Sequence, residues 1–290
     1  MNKSCAYLVF VFCFLAIALF GESRSKASSA PARKTSSGAT SRYSGKPFDP
    51  SLDQLPPGYL GNDAESLLRV IEARQKSQVK GEFETSERYA ARIKRENAQP
   101  LLGSIKLDDV LAFKVDQPEC RYDPDAGIMK FYVTTGGAWD EAQQLTSGKL
   151  AVQLKAHTTV HQYLGSNAFG VTVRVKDEHI KSVKLGIVNS QEFDLRDKDN
   201  PDEPALADSF YSELKMTPDE ARKLKKTAKA LVIGVLDDTP ASKGDLVGEP
   251  TITSPKGFFE EIRYLNLKVS EIWIYNPETG RVLLKMLPKN

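Results

Sequence analysis

The stretch YLNLKVSEIWIYNPETGRVLLKM, residues 264–286, decides the fold class of this chain. Apolar and polar residues alternate over 264–269 and over 271–275, the pattern of sheet strands with one solvated face. The turn sequence NPETG follows, and Gly280 can supply the left-handed residue that returns the chain into a third strand over 281–286. The stretch therefore predicts consecutive antiparallel strands.

The same turn pattern, Y-[DN]-P-[DE]-x-G, occurs at 122–127 as well as at 275–280. Asp or Asn begins a type I turn, proline sets the next φ, and glycine accepts a positive φ. The match indicates either a duplicated β unit or two hairpins that independently selected the same turn residues. Either origin predicts a hairpin at each position.

Six more stretches of the chain have strand patterns, at 111–115, 128–133, 150–154, 169–175, 183–188 and 230–236. Asn62 or Asp63 can cap one helix, Thr85 a second, and Thr217 a third that opens with Pro218 and a capping box. We therefore predict an α+β fold. It comprises a helical region at 63–100 and then a mainly antiparallel sheet region at 101–290, built as one or two compact units.

The composition excludes several classes of protein. The chain has 290 residues, 40% hydrophobic and 27% charged, which excludes a collagen, a disulfide scaffold and a multi-span membrane protein. Lys and Arg number 40 against 38 Asp and Glu. A balance so close to neutral disfavours a dedicated nucleic-acid binder.

The N-terminus has the layout of an export signal. One lysine precedes an uncharged apolar run from Cys5 to Phe20, which is short for a membrane span. We predict a signal peptide over 1–25, with cleavage between 21 and 30. The alternative is an uncleaved anchor in the inner membrane, the one case in which we expect a membrane contact. The predicted location is periplasmic or extracellular.

Residues 26–62 are rich in Ser, Ala and Pro and predict a disordered basic linker. Six basic residues and no acidic ones lie between Arg24 and Lys46, so the rest of the chain is slightly acidic. We therefore expect no nucleic-acid binding by the folded domain. Removal of the signal would leave Cys120 as the single cysteine, either buried in a strand or paired between two chains.

Candidate metal ligands are few. His157 and His161 form H-T-T-V-H, but four strand residues span about 13 Å, too far for one ion. His179 follows two acids in a predicted polar turn. An acidic stretch could form a calcium loop through Asp194, Asp197, Asp199 and Asp202, although its spacing departs from the EF-hand.

Catalytic and cofactor motifs are missing from the sequence after the linker. It contains no G-x-S-x-G, Walker loop or dinucleotide fingerprint, so no catalytic residue and no cofactor is predicted. The acids Asp237 and Asp238 end a predicted strand, where adjacent side chains point apart. Candidate recognition residues are aromatic, with packing in the core as the alternative role: Trp139, Phe258, Phe259, Trp273 and Tyr275.

The stretch KGEFETSERYAARI, residues 80–93, resembles a group of exported bacterial proteins of unknown function that carry E-F-E-T-x-x-E-[YF]-x-A-R ahead of a strand-rich region. The ending IWIYNPETGRVLLK is similar to theirs as well. The resemblance implies a location in the cell envelope, and it implies no activity and no site residues.

Three functions are consistent with these patterns. The first is an exported non-enzymatic envelope protein that binds an envelope protein or polymer through its β-rich domain, or has a structural role there. The second is a carboxylate-based hydrolase of an envelope polymer. The third is a periplasmic module that binds a small ligand.

Overall fold

The computed structural model describes residues 43–116, 118–135, 150–166, 170–195 and 209–289. Within these ranges the α+β class is confirmed. The helices are α1 (Ala64–Ser77), α2 (Ser86–Asn97) and α3 (Pro218–Thr227). The strands are β1 (Leu111–Val115), β2 (Glu119–Asp123), β3 (Ile128–Val133), β4 (Leu150–Ser166), β5 (Thr172–Ile187), β6 (Phe210–Lys215), β7 (Lys229–Gly248), β8 (Lys256–Tyr275) and β9 (Val282–Met286).

The three predicted helix starts are confirmed. The side chain of Asp63 accepts hydrogen bonds from the first turn of α1, and Thr85 does the same for α2. Thr217 and Glu220 form a reciprocal capping box at the start of α3. These bonds satisfy amide groups that have no partner within the helix.

Two sheets organise the chain. The larger has the order β1-β7-β8-β5-β4, with β9 also paired to β8, and the smaller has the order β2-β3-β6. Every strand pair is antiparallel except β5 with β8, so the mainly antiparallel prediction is confirmed. The larger sheet curls until its edge strands β1 and β4 come within 8 Å of each other.

Both predicted turns are hairpins. Gly127 and Gly280 have φ of 65° and 71°, the left-handed conformation that the turn pattern requires. The Gly280 backbone also lies against the chain segment before α1, because the Leu55 amide donates to the Gly280 carbonyl at 2.8 Å. A Cβ at Gly280 would lie 1.8 Å from the Leu55 carbonyl oxygen.

Several strands are longer than predicted. The predictions at 169–175 and 183–188 are two ends of β5, and those at 264–269 and 271–275 are one strand, β8. A bulge at Ser270 shifts the register against β7 there, which explains the break in alternation. β2 was predicted only as the strand before the turn at 122–127, without bounds, and β6 was not predicted, because polar residues interrupt their apolar pattern.

The main core lies on one face of the large sheet. It joins the apolar stripe of α1, including Leu67, Leu68 and Ile71, to both sheets. A second, smaller core covers the opposite face around Trp273. We call the body the part of the large sheet that the main core covers, and the second core adds to it on the opposite face of β1, β7 and β8.

The prediction of a disordered linker as far as residue 62 is wrong for its last part. Phe48 and Leu55 are buried in the second core, and Gly61 forms a bridge with Phe113 of β1. These few apolar residues cover a large buried aromatic surface, which stabilises a segment that composition alone marks as disordered. Residues before Tyr43, including the predicted signal, lie outside the described residues.

Beyond the body, four strands continue as a protruding ribbon that we call the arm. It comprises 155–166 of β4, 172–183 of β5, 241–248 of β7 and 256–263 of β8. Of the 12 arm residues of β4, 11 are exposed, as are those at alternate positions on β7. The arm therefore contributes strand pairing but little core.

Candidate binding groove on the arm

The arm presents one face on the same side as α1, and the register of the strands places its side chains in rows. The row nearest the body contains Lys243, Arg263 and Lys155. Two acids of α1 neutralise part of it. Glu72 accepts two hydrogen bonds from Arg263 at 3.0 and 2.9 Å, and Glu65 pairs with Lys155 at 2.5 Å.

The second row carries both signs of charge. Asp245 of β7 lies directly opposite Glu261 of β8, which neighbours Lys181 of β5, which in turn lies opposite His157 of β4. The Lys181 ammonium lies 3.7 Å from the Glu261 carboxylate, and their side chains are 76% and 56% exposed. The pair is therefore well solvated and free to exchange partners.

The third row is more apolar and contains Phe259 and His179, which are register neighbours. The His179 ring lies 6.1 Å from the Phe259 ring and 5.4 Å from the ring of His161. Its Nε2 is 3.7 Å from a carboxylate oxygen of Asp177. The prediction that His179 lies in a turn is wrong, since it occupies the middle of β5.

The first two rows, together with Phe259 of the third, line an open groove of about 920 Å³ that we call the arm groove. The N-terminal turn of α1, at Glu65, borders its end nearest the body. The sequence did not reveal the groove, because its side chains come from four strands and α1 and meet only through the register. The one available signal was the charge alternation at Lys243, Asp245, Glu261 and Arg263.

The other face of the arm is structural near the body. Lys184 and Glu260 form an ion pair at 3.3 Å with side chains only 5% and 13% exposed. Phe258 lies over Gly248, where a Cβ would meet the ring at 2.2 Å. Phe258 and Phe259 therefore point to opposite faces, and of the two only Phe259 lines the groove.

Two predicted recognition aromatics lie in the core instead. Trp273 is fully buried and packs edge-on against Phe48 at 5.3 Å between ring centroids, while its Nε1 donates to Glu271. Tyr275 is buried in the same cluster, where burial raises the pKa of its hydroxyl. Neither side chain is accessible to a partner, so both are corrected to core residues. Trp139 lies outside the described residues.

Cys120 is buried in the main core. Burial raises the pKa of its thiol to about 11, which leaves it protonated near neutral pH. A buried thiol cannot reach a second chain, so of the two predictions for Cys120 the structure favours the buried strand residue.

The predicted metal ligands do not assemble in the described part of the chain. His157 and His161 lie on β4 as predicted, and no group of three or more ligands suited to a metal occurs among the described residues. Asp194 pairs with Lys289 at 2.8 Å, and its three predicted calcium partners lie outside those residues. Asp237 and Asp238 border a separate cavity of about 380 Å³ beside Arg74.

No protein-family model, curated protein or solved structure matches this chain. Among the described residues, no helix is long and apolar enough to cross a membrane. The arm groove is therefore interpreted from its own chemistry. Its cations and carboxylates, one histidine and one aromatic ring can form ion pairs, hydrogen bonds and stacking contacts with an extended ligand.

The stretch over residues 80–93 has structural roles in this chain. Arg92 pairs with Glu84 at 2.8 Å and donates to the carbonyls of Ser77 and Val79. The Tyr89 hydroxyl donates to the Gln78 carbonyl at 2.9 Å. These contacts close the α1–α2 hairpin, and they account for the stretch without a ligand.

Proposed function

We propose that this protein is an exported, non-enzymatic envelope protein that binds a partner along the arm groove. The observation that carries the proposal is the pairing of like charges across β7 and β8. Asp245 faces Glu261, and Lys243 faces Arg263. Like charges directly opposite each other destabilise a sheet, and departures from such local rules are typical of functional sites. A partner with complementary charges would relieve the repulsion.

The partner should carry charges of both signs. The groove face contributes Lys155, Lys181, Lys243 and Arg263, and against these stand Glu65, Glu72, Asp245 and Glu261. A balanced surface of this kind suits a polymer with both amines and carboxylates better than a polyanion. Peptidoglycan, whose stem peptides carry both groups, is the envelope polymer that we propose as the first probe.

An extended ligand fits the groove better than a small one. Sites for small molecules typically enclose about 70–90% of the ligand surface. The arm groove is open along the strands, and the Lys181 and Glu261 side chains that line it remain more than half exposed. This geometry favours an envelope polymer or protein over the periplasmic small-ligand module.

The hydrolase remains the second proposal, on the observation that two carboxylates, Asp245 and Glu261, face the groove from neighbouring strands. Carboxyls that act as general acids are usually desolvated by apolar surroundings. Both of these side chains are exposed instead. The comparison favours binding over hydrolysis.

Co-sedimentation with purified peptidoglycan sacculi tests the proposal. We expect the wild-type protein to sediment with sacculi, and Lys181→Glu to weaken this by about tenfold because it adds a third acid to the second row. Lys268→Glu is the matched control, since Lys268 is an exposed position of β8 on the opposite face. Thermal melting of each variant establishes that it is folded.

Three results would count against binding through the groove. They are no sedimentation of the wild type, equal losses in the two variants, and no loss in Lys181→Glu. Release of soluble fragments from the sacculi, abolished by Glu261→Gln, would favour the hydrolase. Mass spectrometry of the protein from culture medium or periplasm tests export separately.

A further inference from the structure

The arm has two long edges, and one of them carries features that prevent it from pairing with another strand. Beyond Gly234, β7 no longer pairs with β1, so its outer edge is free. That edge carries Asp237, Asp238 and Pro240 within a large irregularity of the ladder between Leu236 and Ala241. Charges, proline and bulges are the devices by which proteins prevent an exposed edge from pairing with another strand.

The outer edge of β4 has none of these devices. Residues 156–166, AHTTVHQYLGS, contain no Lys, Arg, Asp, Glu or Pro, and they pair with β5 without a bulge. Val160, Tyr163 and Leu164 are 45%, 49% and 71% exposed. In the part of the chain that the structure describes, no strand pairs with this edge.

Three edges outside the arm are partly covered by other segments, unlike the β4 edge. Asn62 exchanges hydrogen bonds with the backbone of Ala112 in β1, through its amide at 2.7 Å and its side chain at 2.9 Å. Leu195 bridges to Phe210 of β6, and Gln54 bridges to Arg281 just before β9. Short stretches of chain therefore occupy part of the edges at β1, β6 and β9.

We infer that the β4 edge is a strand-addition surface whose occupant is a second copy of this chain. Two β4 strands pair antiparallel about a two-fold axis, which joins the two large sheets into one. Because 156–166 is uncharged, pairing with itself brings no like charges opposite each other at neutral pH. Each copy supplies the long uncharged edge that the other needs. A contact about a two-fold axis limits the assembly to two copies.

In such a dimer the two copies present the same face of the arm on the same side of the joined sheet. A two-fold axis perpendicular to the sheet keeps each side chain on its own face, so Val160 and Leu164 of both copies meet on the face away from the groove. The two arm grooves lie on the same side of the joined sheet. The inference itself does not depend on what the groove binds.

The size of the contact predicts a reversible dimer. Eleven strand residues form an edge about 36 Å long and about 10 Å thick, or about 360 Å² for each partner. Stable complexes usually bury about 800 Å² on each side. We therefore expect monomer and dimer to exchange in the micromolar range rather than a permanent assembly.

Sedimentation velocity over a concentration series tests the inference. We expect wild-type protein to shift from monomer to dimer, and Val160→Lys to weaken dimerisation by about tenfold or more, because the substitution places two lysines close together at the axis. Val247→Lys is the matched control, since Val247 is an exposed arm residue, 57% accessible, on the protected edge. Unchanged melting temperatures would establish that both variants fold.

Four outcomes overturn the inference. They are a wild-type protein that stays monomeric up to about 100 μM, well above the expected range, a dimer that Val160→Lys leaves intact, equal effects of the two lysine variants, and growth into open polymers instead of a closed dimer. Loss of sedimentation with sacculi in Lys181→Glu, together with an unchanged dimer, would separate the groove from the edge.

Discussion

The two halves of β8 show how one strand performs two tasks. Over 272–275 both faces are covered, by the main core on one side and the second core on the other, and over 265–269 the main core covers one face while Lys268 is exposed on the other. Over 256–263 the same alternation continues with Glu261 and Arg263 facing the arm groove. The strand therefore extends beyond the part that the cores cover. The body holds most of the core, and the arm extends strand pairing to a largely exposed surface.

The largest expected contrast between body and arm is in stability. Trp273→Ala removes a fully buried side chain and should lower the free energy of unfolding by about 4 kcal/mol. Phe259→Ala, a half-buried arm position, should cost about 1 kcal/mol. Urea denaturation of both variants measures the contrast. Equal losses would contradict the division into body and arm.

A second contrast compares two glycines with positive φ. Gly280→Ala would add both backbone strain and a clash with the Leu55 carbonyl, for a cost of about 3 kcal/mol. Gly170→Ala, at φ 79° and with nothing within 4 Å of its Cβ, should cost about 1 kcal/mol from strain alone. Denaturation midpoints that fall equally would show that the packing of Leu55 on the turn contributes little.

Local sequence signals predicted the features that depend on neighbouring residues. The caps at Asp63, Thr85 and Thr217 and the two turn glycines follow from local hydrogen bonding and backbone sterics. The α+β class follows from periodicity. None of these required knowledge of which strands meet.

Features built from distant residues could not be predicted in this way. Residues 176–182 of β5 are predominantly polar because the arm has little core, and periodicity detects a strand only through a buried face. The arm groove depends on the parallel pairing of β5 with β8, which no local pattern encodes. The sequence left recognition and core packing both open for Trp273, and its contact with Phe48 decides for the core.

A smaller effect is expected at a helix cap. Thr217→Ala removes the capping box of α3 and should lower the free energy of unfolding by about 1 kcal/mol. The matched arm substitution, Thr158→Ala, changes an exposed residue and should alter it by less than about 0.5 kcal/mol. Thermal denaturation of both variants tests whether the cap contributes more to the stability of the protein than the exposed arm residue does.

The smallest effect is pH-dependent and lies in the α1–α2 hairpin. A hydrogen bond from Arg92 lowers the pKa of Glu84 from 4.5 to about 2. Because the folded pKa is depressed, this contribution to stability is present above pH 4.5 and is lost as the pH falls through about 2. The melting temperatures of wild type and Glu84→Gln should therefore converge between these pH values. A difference that stays constant would contradict the assignment.

Hydrogen exchange along β8, followed by mass spectrometry of its peptides, tests the division into body and arm most directly. We predict that amides of 265–275 exchange only through global unfolding, whereas those of 256–261 exchange through local opening that a denaturant hardly accelerates. The same pattern should hold for 184–187 and 172–175 of β5. Uniform protection along β8, lost together in one global transition, would contradict the account.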